Sequence, residues 1–343
     1  MEFIFEYGLF LAKTATLVVA VLLVVAMIFA LGSKGRRPDR GHIEVSSLND
    51  SLEGVTRTLK QVVMDENAWK AEAKAEKKKQ KEAKKSAKAK ADEPRKSRVY
   101  VIDFEGDVQA SAVEQLREEV TAVLSIAEAQ DEVVVRLESP GGMVHSYGLA
   151  ASQLSRIVGK EIKLTVAVDK VAASGGYMMA CLATNLIAAP FALLGSIGVV
   201  AQVPNFNRFL KGKEIDVEVL TAGEFKRTLT MLGENTEQGR KKFIEELEDV
   251  HTLFKDFVKE SRPIVDTDVV ATGEAWYGRR ALEHKLVDAL QTSDEYLVNC
   301  CETADVYKVK YVEDKNRMDK LVDRFTSVLK SSPDLQFQGP YRF

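Results

Sequence analysis

The chain is short of the residues that most often announce a chemistry. Its 343 residues hold three cysteines, four histidines, two tryptophans and eight prolines. Cys181 lies in an apolar run and Cys300 and Cys301 are adjacent, which draws neither a disulfide framework nor a metal-ligand spacing and leaves the redox compartment open. The histidines are scattered. His42 falls in a linker, His145 comes after ESPGGMV, and His251 and His284 sit in charged amphipathic segments that read as surface. No metal or organic cofactor is indicated. With 45% apolar and 29% charged residues, the composition excludes disordered, collagen-like and multi-span membrane classes.

Long uncharged runs are also scarce, which makes the first conspicuous. Thr14 to Ser33, TATLVVAVLLVVAMIFALGS, carries no charge, and 20 helical residues suffice for a hydrocarbon core of about 30 Å. This predicts a transmembrane helix. Glu2 and Glu6 precede the run and Lys34, Arg36, Arg37 and Arg40 come after it, the reverse of a cleaved signal peptide, and those basic flanks favour a cytoplasmic side for the rest of the chain. From Ala68 to Lys96 the chain is Ala, Lys and Glu without an apolar stripe; Lys70 to Arg98 holds 13 basic and 5 acidic residues, whereas Val99 onward holds 28 and 38. Such a segment forms a spacer, helical or disordered. No aromatics interleave with its lysines, so no nucleic-acid partner is expected. The organisation read from this is a flank (1–13), a membrane helix (14–33), a linker and spacer (34–97), one globular domain (98–305) and a tail (306–343) with an amphipathic helix around Leu321, Phe325 and Leu329.

From Arg98 short β-rich runs alternate with amphipathic helices. RVYVIDF, EVVVRLES, IKLTVAV and IDVEVL read as strands, with shorter ones near Leu186 and Ile197; helices are expected over Val113 to Ala127, over Tyr147 to Val158 and after Ser174. This alternation argues for an α/β domain with parallel sheet. Between Lys170 and Arg208 there is again no charge, but Pro190 and dispersed glycines break any spanning helix, so the interval reads as buried core.

Inside that interval AASGGYMMA places Ser174 among alanines and glycines. Small neighbours permit the sharp strand-to-helix turn that exposes a nucleophilic serine, although the same string suits an ordinary helix start. A serine nucleophile needs a base. His145 and Lys226, the latter in TAGEFKRTLT, are the loop candidates; a lysine base must lose roughly three pKa units, which an apolar pocket supplies. Arg227 beside it reads as surface or as a charge that lowers the lysine pKa.

Five segments then resemble a known family in order and spacing: VVVRLESPGGMVHSY from Val133, KVAASGGY from Lys170, PFALLGSIGV from Pro190, TAGEFKRT from Thr221 and WYGRRALEHKLVD from Trp276. Together they are similar to the signal peptide peptidase A family of membrane-bound serine proteases, in its single-domain SohB branch. The resemblance implies the spiral of ββα units shared by the Clp protease subunit ClpP and crotonase. It implies a Ser/Lys dyad in which Ser174 is the nucleophile, Lys226 the general base and Ser196 a hydroxyl that orients the lysine amine, with the N–H groups of Gly141 and Gly175 forming the oxyanion hole. It further implies a bacterial inner-membrane endopeptidase, a homo-oligomer acting on peptides or unfolded chains such as residual signal peptides, with its domain on the outer face, against the basic flanks. Three other readings stand beside it: a crotonase-type acyl-CoA enzyme on the same fold, a membrane-tethered scaffold without activity, and a triad through His145, for which neither Asp103 nor Asp169 has a telling spacing.

Overall fold

The structure is a computed structural model that describes residues 2–33, 41–72, 74–75, 78 and 95–313, with side chains of the first helix described over 6–22. The chain divides into two compact units, residues 1–42 with 312–343, and residues 43–311. In the first unit α1 (Glu2–Ser33) is one continuous helix, its Thr14 and Thr16 hydroxyls donating back to the carbonyls of Phe10 and Ala12. Among the described residues no helix is long and apolar enough to cross a membrane. The expected span is affected directly: its residues 23–33 lie outside the described side chains, and residues 14–22 alone fall short of the about 20 needed. The linker at 34–40, most of the Lys-rich spacer and the tail from 314, with its expected helix, also lie outside the described residues.

β1 (Gly41–Ser47), in the second unit from Ile43, leads into α2 (Leu48–Val63), capped by the Ser47 hydroxyl accepting from the Asp50 N–H. The α/β alternation comes next: β2 (Arg98–Glu105), α3 (Val113–Leu124), β3 (Glu132–Glu138), α4 (Val144–Val158), β4 (Lys163–Val168), β5 (Val171–Ala173), α5 (Gly175–Ala180), β6 (Asn185–Ala188) and β7 (Leu193–Gly195). After α6 (Asn207–Lys211) come α7 (Glu237–Ser261), α8 (Thr267–Val270), β8 (Ala275–Tyr277), α9 (Gly278–Glu283), β9 (Ala289–Leu290), α10 (Ser293–Thr303) and β10 (Asp305–Glu313). Seven strands form one sheet in the order β1-β10-β2-β3-β4-β6-β9, and β5-β7-β8 form a second. From β10 to β9 the large sheet is parallel; in the small one β5 and β7 are parallel and β8 is antiparallel.

Side-chain alternation explains why β2 and β3 are apolar almost throughout. Tyr100, Ile102 and Phe104 with Val133, Val135 and Leu137 face a core that includes α3, α4 and α5, whereas Val99, Val101 and Val134 face Leu297 and Val306 on the other side. A parallel strand covered on both faces has no solvent face to make polar. Most expected elements are present within a few residues. Two differ. The strand expected near Ile197 closes earlier, at Gly195, and IDVEVL (215–220) is irregular and largely exposed. A strand exists only through a partner's backbone hydrogen bonds, and among the described residues none pairs with that segment.

Candidate active site

Where β5 ends and α5 begins, the chain reverses on one residue. Ser174 has φ 51° and ψ −118°, a left-handed conformation that costs a residue with a Cβ about 1–3 kcal/mol. It is held from three sides: the Ala173 N–H donates to the Ser139 carbonyl (3.0 Å), the Ser174 N–H to the Gly195 carbonyl (2.7 Å), and the Met178 N–H to the Ser174 carbonyl (2.9 Å). Ser174 is half-buried, while everything from Ala172 to Cys181 around it is buried. The turn therefore leaves Ser174 as the one residue of this segment that reaches solvent, whereas the Tyr177 hydroxyl is buried and donates to the Leu286 carbonyl (3.0 Å).

The surrounding glycines are there because atoms are close. A Cβ on Gly175 would lie 2.4 Å from Cγ of Tyr147, one on Gly176 2.6 Å from the Ser139 carbonyl oxygen, and one on Gly141 2.6 Å from the Ala173 carbonyl oxygen and 2.8 Å from the Ser174 Cβ. Gly141, at φ +88°, thus sits directly against Ser174. Three of the expected site residues, Gly141, Ser174 and Gly175, are brought together. The Gly141 N–H donates to Ser139 Oγ (3.1 Å), whereas among the described residues the N–H of Gly175 has no acceptor.

Ser139 and Tyr147 are the supporting residues that sequence reading passed over. Ser139 is fully buried, its hydroxyl shared between the Tyr147 hydroxyl and Gly141, and Tyr147 donates to the Asp107 carbonyl (2.8 Å). Together they tie the Gly141 loop to the turn that carries Ser174. The signal was available in ESPGG, where a serine before Pro-Gly reads as a turn residue; that its hydroxyl points inward is a tertiary fact.

Ser196 is placed by strand register. Ala173 pairs with Gly195, so Ser174 and Ser196 leave adjacent parallel strands side by side, both at positive φ (51° and 48°). The Ser196 N–H donates to the Glu274 carbonyl (2.7 Å) and its Oγ to the Gly273 carbonyl (3.3 Å). Lys226 stands on an exposed loop, its N–H closing a turn on the Gly223 carbonyl (3.2 Å). That loop leans on α7: Lys242 lies over the Phe225 ring (5.5 Å) and Gln238 donates to Glu224. Among the described residues no hydrogen bond or ion pair joins the Lys226 amine to Ser174, Ser196 or any other group. Arg227 is likewise exposed.

The histidines sort differently from expectation. His251 and His284 are half-buried rather than surface residues: the His251 Nε2 meets the Ile197 carbonyl (3.2 Å), and the His284 ring lies tilted against Trp276 with centroids 4.3 Å apart. The amphipathic helix carrying His251 packs that face inward, beside the residue after Ser196. His145 is exposed on the first turn of α4. Both aspartates considered for orienting it are engaged elsewhere, Asp103 with Arg136 (2.6 Å) and Lys308 (2.7 Å), and Asp169 with the N–H and hydroxyl of Ser293. Burial works against ionisation of Asp103, yet those two cations hold its carboxyl below the usual range. Cys181 is no competing nucleophile, since complete burial pushes its thiol up to about 12. Among the described residues no group of His, Cys, Asp and Glu could hold a metal ion.

Comparison with known proteins shows which family the chain resembles. The family model "Peptidase family S49 N-terminal" matches residues 2–154 and "Peptidase family S49" residues 156–307. A probable protease SohB of Haemophilus influenzae is 49% identical over 320 residues, 92% of this chain and 90% of that protein; one from Buchnera aphidicola of Acyrthosiphon pisum is 46% identical over 327 residues, 95% and 94%. Among solved structures, a membrane-bound stomatin-specific protease, 14% identical, covers 68% of this chain and all of its own with a TM-score of 0.42, a likeness too low to argue from. The matches with the family models and with the SohB relatives cover nearly the whole described chain, and they show that it belongs to peptidase family S49, the signal peptide peptidase A family, in its SohB branch.

Proposed function

We propose that this peptidase is a membrane-anchored serine endopeptidase that works through a Ser174/Lys226 dyad. The observation that carries the reading is the Ser174 turn: a strained, half-exposed hydroxyl in apolar surroundings, pressed against Gly141 and next to a free Gly175 N–H. Strain of this kind persists only where surrounding structure enforces it, and it clusters at reactive groups. Ser174 Oγ attacks a peptide carbonyl while neutral Lys226 takes its proton. The oxyanion is held by the Gly175 N–H and by the Gly141 N–H, which exchanges its bond to Ser139 for one to the oxygen. Protonated Lys226 then gives its proton to the leaving amine, and water repeats the sequence on the acyl-enzyme.

The chain trace supports reading the domain as a spiral of ββα units. β4 and β6 lie in the large sheet, and each leads directly into a strand of the small one, β5 and β7. Exposed apolar residues on 200–232, among them Val200, Phe209, Leu220 and Phe225, favour a homo-oligomer in which that arm is covered and the Lys226 loop settles near Ser174. Ser196 then turns its hydroxyl from Gly273 to the lysine amine. The 20 uncharged residues from Thr14 anchor the chain in the bacterial inner membrane; resistance to carbonate extraction checks this. Substrates are peptides or unfolded chains, residual signal peptides included.

The test is cleavage of an unfolded model protein by the purified full chain beside Ser174→Ala and Lys226→Ala at matched oligomer size. Loss of cleavage in both variants, with folding intact, supports the dyad. Full activity in Lys226→Ala removes the lysine from the mechanism, and absence of any cleavage by the wild type favours the scaffold reading.

A further inference from the structure

Away from Ser174, at the β1-β10-β2 edge of the large sheet, lies a cavity of about 380 Å³ whose lining includes Arg98 and Tyr100, a size within the ~300–1,000 Å³ of small-molecule sites. Its walls are mostly aliphatic, with Ile43 and Val45 from β1, Ala122, Val123 and Ile126 from α3 and the segment after it, and Val309 from β10, beside which the Tyr307 ring lies 6.5 Å from that of Tyr100. Two polar side chains on β2 break this surface. They are two residues apart, so alternation puts both on the same face of the sheet.

Neither has its chemistry satisfied. Tyr100 is 3% exposed, and its hydroxyl is buried without a hydrogen-bond partner among the described residues. A buried unpaired hydroxyl costs about 1–3 kcal/mol, and native structures seldom leave one without a reason. Arg98 is half-buried, and among the described residues its guanidinium forms no ion pair or hydrogen bond; Asp131 accepts only its backbone N–H, and Asp305, opposite it across the ladder, is not within ion-pair distance. Lone buried polar groups and half-buried cations ordinarily find partners.

We infer that this cavity binds a straight-chain acyl anion, its aliphatic chain among Ile43, Val45, Val123, Ile126 and Val309 and its oxyanion on the Arg98 guanidinium and the Tyr100 hydroxyl. A peptide segment fits poorly, because its successive amides would meet aliphatic walls with only these few polar groups to answer them. A cationic or neutral amphiphile leaves Arg98 unanswered. The same chemistry is offered by a free fatty acid and by a monoacyl phospholipid, and the site lies outside the catalytic geometry described above.

The experiment uses the full chain in lipid nanodiscs, with empty nanodiscs subtracted, and carboxyl-labelled decanoate observed by its ¹³C resonance. Decanoyl lysophosphatidate is the second arm; decanol and decyltrimethylammonium are the controls. Saturable binding of either anion, with both controls at least about tenfold weaker, is expected, and the tighter anion identifies the source. Arg98→Gln is expected to weaken it about tenfold or more, and Tyr100→Phe several-fold. Tyr100→Phe should melt no lower than the wild type without ligand, because it deletes an unpaired group. A lower melt would mean that the hydroxyl is already partnered and would overturn the inference. So would binding of neither anion, equal binding of decanol, or unchanged affinity in both variants.

Discussion

Replacing Ser174 by glycine and by alanine separates its conformation from its chemistry. At φ 51°, ψ −118° the residue stores about 1–3 kcal/mol of backbone strain. Alanine keeps the Cβ and hence the strain; among the described residues no hydrogen bond of the Ser174 hydroxyl is lost with it. Ser174→Ala should therefore match the wild type within about 0.5 kcal/mol. Glycine releases the strain but loses more chain entropy on folding, about 0.5–1 kcal/mol, leaving a net gain of about 1 kcal/mol. For a domain of this size that raises the melting temperature by about 2–4 °C. Thermal melts of the three proteins read the difference, and cleavage of an unfolded protein reads the activity, expected to vanish in both variants. A Ser174→Gly protein that melts at or below Ser174→Ala refutes the claim that the turn is strained, whatever happens to activity.

The same geometry leads to three further outcomes. Lys226→Ala should lower cleavage by about 10²–10⁴-fold and leave the melt within about 0.5 kcal/mol, since among the described residues its amine makes no hydrogen bond or ion pair; a calorimetric melt beside the activity assay checks both. Gly175→Ala places a Cβ 2.4 Å from the buried Tyr147 ring and should cost about 1–3 kcal/mol by overpacking as well as activity; urea unfolding reads it. Glu119 accepts the Tyr311 N–H (2.8 Å), and burial pushes its carboxyl from 4.5 up to about 7. The folded state then holds a proton the unfolded chain releases, so this stabilisation is complete below pH 4.5 and drains as pH rises through about 7. Glu119→Gln keeps a neutral acceptor and should gain up to about 3 kcal/mol at about pH 8 but little at about pH 4, as urea titrations at both values would show.

The parts of the site legible in the sequence are those determined by local chain geometry. A serine between the short strand Val171–Ala173 and two glycines has small neighbours on both sides, and the conformation found is the sharp turn that AASGG allows. Ser196 was marked only by the resemblance of LGSIG to a family segment; that it stands beside Ser174 follows from the parallel register of β7 against β5, which the sequence does not state. What depends on distant partners was not legible. The buried Ser139–Tyr147–Asp107 connection joins residues up to 40 apart, and nothing in ESPGG alone says where its hydroxyl points. His251 looked like surface because its helix is heavily charged, yet one face of that helix closes over Ile197.

The failure at IDVEVL is the most informative, because local pattern and structure disagree at the segment leading to Lys226. Its alternation of apolar and charged residues is that of a half-buried strand, and among the described residues it has neither a pairing edge nor a cover; Leu220 is 89% exposed. A strand pattern without a partner among the described residues raises the question of what covers it, since an apolar face is retained in water only where something covers it. The strand character of 215–220 and the placement of the Lys226 amine are then one question. If a second copy covers the arm, charging it with Leu220→Glu and Val219→Lys should dissociate the oligomer and abolish cleavage together, at unchanged melting of the Ser174 core. Size-exclusion chromatography with light scattering, run on the same samples as the activity assay, decides it. A dissociated variant that still cleaves would show that Lys226 reaches Ser174 within one chain, and one that stays assembled would place the interface elsewhere.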